Sequence, residues 1–146
     1  MKRMKRFESE RGTALMETAL TLPLILLVSV GIFEFGRAFQ MVQVLTNAAR
    51  EGARVAVLPG SSVDQVKDRV VAYLTAGQVP GPSTAIVIVD PNVSINVGTG
   101  TATGSKVTVN YPFSFMVLNP IARLVVTGSE LGAPIMMSAS SEMRNE

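Results

Sequence analysis

Gly12-Thr13-Ala14-Leu15-Met16-Glu17-Thr18-Ala19-Leu20-Thr21-Leu22-Pro23 opens an apolar run that continues to Phe33. The 16 residues from Thr18 to Phe33 carry no charge and are rich in Leu, Ile and Val. A membrane-spanning helix wants roughly 17 to 25 such residues. Extended back to Gly12, the stretch has 22 residues and one charge, Glu17. At a helical rise this is about 33 Å, enough to cross the hydrocarbon core. Pro23 is tolerated in a membrane helix at the cost of a small kink. A cleaved secretory signal peptide would place small residues in an A-x-A arrangement after its apolar core. Here Glu34, Phe35, Gly36, Arg37, Ala38 and Phe39 follow, so no such site stands out. A buried core helix would show a polar stripe and would not need a basic tail.

Before the run stands a basic leader. Lys2, Arg3, Lys5, Arg6 and Arg11 face only Glu8 and Glu10, whereas residues 34 to 146 carry eight bases and eight acids. The chain's net charge of +2 therefore sits in the leader. Positive charge flanking a span predicts a cytoplasmic N-terminus, with the C-terminal part periplasmic or outside. A neutral folded part also argues against nucleic-acid binding, which leaves a basic footprint on the domain itself.

Glu17 is the sharpest local clue. A carboxylate inside lipid is costly and is usually functional. A cut between Gly12 and Thr13 would make Thr13 residue one and Glu17 residue five of the new chain. The new α-amino group and the carboxylate could then pair, within one protomer or across two. The plainer alternative leaves Glu17 at headgroup depth.

Three segments in order resemble the TadE-like family, minor pseudopilins of the tight adherence (Flp) pilus machinery. They are Gly12 to Pro23, then Gly31-Ile32-Phe33-Glu34-Phe35-Gly36-Arg37-Ala38-Phe39, then Ala48-Ala49-Arg50-Glu51-Gly52-Ala53-Arg54. The ending from Ser138 to Glu146 is similar to the family's usual one, more weakly. Major Flp pilins are much shorter and carry Tyr after the Glu, where this chain has Thr18. The resemblance implies a prepilin peptidase acting at Gly12 and Thr13, an assembly role for Glu17, and pilin or pseudopilin subunits as partners. It places the protein in an inner membrane as a single-pass chain, with possible incorporation into a surface pilus.

Beyond the membrane the helix is expected to continue to residue 58. Gln40, Gln43, Asn47, Arg50, Glu51 and Arg54 share one arc, and small or apolar residues fill the rest. Ala49, Gly52, Ala53 and Ala56 form a stripe that permits close backbone approach. That stripe suits either the protein's own sheet or neighbouring pilin helices. Gly36 lowers helix propensity and could mark a bend. Pro59-Gly60 ends the segment.

The rest predicts a small α+β domain. Ser62-x-x-Gln65 is a capping box. Val63, Val66, Val70 and Leu74 follow at helical spacing, and Gly77 stops that helix. Ala85 to Val89, Val93 to Val97 and Val107 to Tyr111 read as strands, and Ile135 to Met143 as a further one. Asp90-Pro91-Asn92 reads as a turn, Gly98 to Ser105 as a hairpin loop, and a short helix is expected after Pro120. Strands after helices favour an antiparallel sheet with helices on one face. The resulting division is a leader over 1–12, a helix over 13–58 and an extracytoplasmic domain over 59–146.

Catalytic chemistry finds little footing. The chain has no Cys and no His, which removes thiol nucleophiles, His-based triads and the usual transition-metal ligands. Gly104-Ser105-Lys106 inverts the order a P-loop needs and precedes a strand, not a helix. Asp64 and Asp68 sit one turn apart beside Lys67 and Arg69, as on a solvated face. The eight Met are spread along the chain, as packing residues are. The residues predict no enzyme, no cofactor, no metal and no small-molecule substrate. Two functions remain: a processed pseudopilin, or an uncleaved membrane-tethered module that binds a ligand or envelope partner. Only the first needs Gly12, Glu17 and their spacing.

Overall fold

A computed structural model describes residues 7–96, 98, 100–120 and 133–145, with side chains from residue 12 onward. The first element is one helix, α1 (Phe7–Ala56), of 50 residues. At 1.5 Å per residue it is about 75 Å long. It runs through Pro23 and Gly36 without interruption. Thr18, Thr21 and Ser29 donate their hydroxyls to the carbonyls of Ala14, Glu17 and Ile25, four residues back, at 2.9, 2.9 and 2.8 Å. These bonds let polar side chains sit on an apolar helix without an unmet donor.

A second helix, α2 (Val63–Ala76), opens on the expected capping box. The Gln65 N–H donates to Ser62 Oγ at 3.2 Å, and the Ser62 N–H donates to Gln65 Oε1 at 3.0 Å. Val66, Val70 and Leu74 are buried, whereas Val63, expected on the same face, is exposed in the first turn. Gly77 ends the helix, with its N–H donated to Tyr73 O at 2.9 Å. Its φ is an ordinary −76°, and the left-handed turn falls on Gln78 at 55°. What Gly77 supplies is space: a Cβ there would lie 2.8 Å from Val44 Cγ1.

After a 3-10 turn at Pro82–Thr84 come three strands, β1 (Ile86–Asn96), β2 (Thr101–Phe113) and β3 (Ile135–Arg144). They form one antiparallel sheet in the order β1-β2-β3. The fold is α+β, as the sequence predicts. Two local expectations are corrected. Asp90-Pro91-Asn92 is not a turn between two strands but an irregularity within β1, where the register shifts between Asp90 and Val93. Thr101 to Ser105, expected in the hairpin loop, already belong to β2. The β-branched Thr101 and Thr103 favour the strand more than Gly104 opposes it. The helix expected after Pro120 lies outside the described residues, and residues 118–120 just before it are helical.

Both helices cover one face of the sheet. The core joins Leu45, Ala48, Ala49 and Ala53 of α1, Val66, Val70 and Leu74 of α2, and Val107, Val109, Tyr111 and Phe113 of β2. Val87, Val89, Met137, Ala139 and Met143 pack around it from the edge strands. Alternate residues face away from the helices, where Lys106 and Glu142 pair at 3.0 Å.

Gly52 sets the closeness of the two helices. A Cβ at this position would lie 2.6 Å from Val70 Cγ2 and 3.1 Å from Val107 Cγ1. Gly52→Ala gains about 1 kcal/mol of helix propensity. Overpacking at this depth costs about 1–3 kcal/mol, so a net loss is expected. Gly36→Ala is the matched control, because a Cβ there meets nothing within 4 Å. Denaturant midpoints should move in opposite directions for the two variants.

Candidate functional site

The residues singled out at the leader junction lie on the surface of α1. Gly12, Thr13 and Glu17 are all exposed in the isolated chain, and a Cβ on Gly12 would meet nothing. Glycine weakens the helix at this position by about 1 kcal/mol relative to alanine. Between Leu15 and Phe39 the helix presents Leu20, Leu22, Leu24, Ile25, Leu26, Leu27, Val28, Ile32, Phe33 and Phe35 to the outside, with Phe33 81% exposed. Such a surface needs a cover that the described residues do not supply. Only 6% of the most apolar window is buried, which separates this helix from the core helix of a globular domain. It is long and apolar enough to cross a membrane.

The stripe of small residues is placed differently. Ala49, Gly52 and Ala53 are buried against α2 and β2, and Ala56 is half-buried at the edge of the same cluster. In the isolated chain these positions serve the protein's own head domain. The polar arc opposite is outermost at Gln40, Gln43, Arg50 and Arg54. Glu51 joins the helices through Arg69 at 3.0 Å and pairs with Arg54, three residues on along α1, at 3.4 Å. Asp64 and Asp68 are exposed. Among the described residues no group of His, Cys, Asp or Glu is arranged to hold a metal ion.

One cluster was not legible as a site from the sequence. Glu34, which ends the uncharged run, is only 3% exposed. Its Oε1 accepts the backbone N–H of Val117 at 2.5 Å, and its Oε2 meets Arg37 Nη1 at 3.3 Å. Arg37 Nη2 donates to the Ser114 carbonyl at 3.1 Å. The same guanidinium lies 5.1 Å from the centroid of the buried Phe113 ring, which meets Phe115 edge-on at 5.3 Å. These contacts fasten the segment after β2 onto α1 one turn beyond the apolar run. The Tyr111 hydroxyl donates to Pro80 O nearby, and burial pushes its pKa up despite the opposing Arg37 charge. The local signal was the Glu34–Arg37 spacing of three, which puts both side chains on one helix face. Their partners lie 77 and 83 residues away.

One exposed apolar helix, long enough to cross a membrane, continues without a break into a small α+β head. Residues 12–54 match the family of TadE-like proteins, and they are the residues on which the resemblance rests. The matched residues span the apolar run, Glu17, Glu34, Arg37 and, of the packed stripe, Ala49, Gly52 and Ala53. No curated protein and no solved structure matches the chain.

Proposed function

We propose that this protein is a membrane-anchored pseudopilin that takes part in assembling a tight adherence (Flp) type IV pilus. A prepilin peptidase cuts it between Gly12 and Thr13, on the cytoplasmic side of an inner membrane. The observation that carries this reading is the family match from Gly12 onward. It coincides with a Gly–Glu spacing at the entrance of an exposed apolar helix. The leader's positive charge holds the N-terminus inside, which leaves the head on the far face. After cleavage the Thr13 α-amino group and the Glu17 carboxylate neutralise one another, within a subunit or between neighbours. That pairing offsets the cost of a carboxylate at membrane depth. The protein then acts through helix packing and surface contacts, without chemistry of its own.

N-terminal sequencing of the protein extracted from membranes, with and without the cognate peptidase, tests the proposal. The expected result is a start at Thr13 only when the peptidase is present. A start at Met1 in both samples would support the uncleaved, membrane-tethered binding module. A start beyond Phe33 would mean that the apolar run is a removable signal peptide, and both readings would fail.

A further inference from the structure

We propose that the head domain itself enters the bilayer surface, through Met116 and Val117, and so holds a fixed height and tilt on the membrane. The inference rests on the membrane-spanning reading of α1 and goes beyond it. Met116 is 72% exposed and Val117 40% exposed, although both lie against the anchor helix. With Val30, Phe33, Glu34 and Arg37 they line an open, almost wholly apolar groove of about 300 Å³. Val30 and Phe33 belong to the apolar run. A span that starts at Gly12 reaches the outer edge of the hydrocarbon at about Phe33. The groove therefore straddles the boundary between acyl chains and headgroups. Its apolar lining is continuous with the lipid-facing surface of the helix.

The polar contacts of this loop point to the same cover. Irregular backbone in contact with lipid must have its N–H and C=O groups met by protein. Here Glu34 accepts the Val117 N–H and Arg37 donates to the Ser114 carbonyl. Glu34 is itself enclosed by these contacts and paired with Arg37. The occupant of the groove is therefore lipid acyl chain at interfacial depth. Segments of this kind enter the boundary by about 5–10 Å.

The chain has no cysteine, so single substitutions give unique attachment points for an environment-sensitive fluorophore. The full chain is reconstituted in phosphatidylethanolamine–phosphatidylglycerol vesicles carrying nitroxide on either shallow or deep acyl carbons. Labels are placed at Leu26→Cys, Phe33→Cys, Met116→Cys and Ser94→Cys, all exposed positions. The Leu26 label reports the span, and the Ser94 label reports the end of the sheet farthest from the membrane. The expected result is strong quenching at Leu26 by deep nitroxide and at Phe33 and Met116 by shallow nitroxide. Emission at Met116 should fall by about twofold or more, with almost no change at Ser94. Quenching at Leu26 with an unquenched, red-shifted label at Met116 would overturn the inference and leave the span standing. A blue-shifted but unquenched label at Met116 would mean that protein covers the groove, and would overturn it too. An unquenched label at Leu26 would remove the span, and the inference with it.

Discussion

A Glu17→Ala chain is expected to insert and be cut as the parent chain is, and to leave cells without tight adherence pili. The two halves of this result have separate physical causes. Removing a carboxylate near the entrance of the apolar run lowers the cost of insertion, by less than the about 3 kcal/mol that applies at the bilayer centre. Membrane extraction should therefore recover at least as much protein as before. Assembly loses the partner of the newly freed amino group, and each subunit would then carry an uncompensated positive charge into the apolar helix bundle. Glu17→Gln keeps size and hydrogen bonding and should fail in the same way, because the charge is what is needed. Piliation and adherence assays, with immunoblots of the membrane fraction as the internal control, distinguish the two halves. Normal piliation in either variant would sink the role assigned to Glu17.

The second large effect is expected at Phe113. Its ring is 1% exposed, lies under the Arg37 guanidinium and meets Phe115 edge-on. Phe113→Ala should cost about 3–5 kcal/mol through lost burial and the cavity left behind. A head of this size has about 5–15 kcal/mol of stability in total. The midpoint of thermal unfolding should fall by about 12 °C or more. The fluorescence of Tyr111 and Tyr73, one buried and one half-buried, provides the signal. Loosening should spread to Ser114 through Val117, because the ring is the floor on which Arg37 rests. Phe113→Leu keeps most of the volume and should lose far less. A midpoint unchanged by Phe113→Ala would show that the ring is not what ties the sheet to the anchor.

The long helix, the capped second helix and the strands at Val107–Tyr111 and Ile135–Met143 were legible because each follows one period over many residues. The segments misread were those where two local signals compete. Asp90-Pro91-Asn92 carries turn chemistry, yet the strand on either side pairs with the same neighbour and absorbs it as an irregularity. Gly104 looked like loop, but it is the close approach of the sheet that excludes a side chain. A Cβ there would meet Ile95 and would lie 2.5 Å from the Met143 carbonyl. Gly12, Thr13 and Glu17 could be singled out as a short local pattern in front of the apolar run, followed by the two later motifs in order. The Glu34–Arg37 clamp could not, because its meaning depends on backbone groups beyond the second strand. The small-residue stripe announced close packing without saying with what, and Val66, Val70 and Val107 fill that place within the chain.

An unbroken α1 makes anchor and head one mechanical part. The helix has no gap at Pro23 or Gly36, and the head is locked to it both at Arg37 and along Ala49–Ala53. Axial displacement of the N-terminal end thus arrives at the head, about 1.5 Å for each residue by which the helix is shifted along its axis. Twist is transmitted in the same way. A force that pulls or turns the N-terminal end of this helix moves the sheet like the tip of a piston rod.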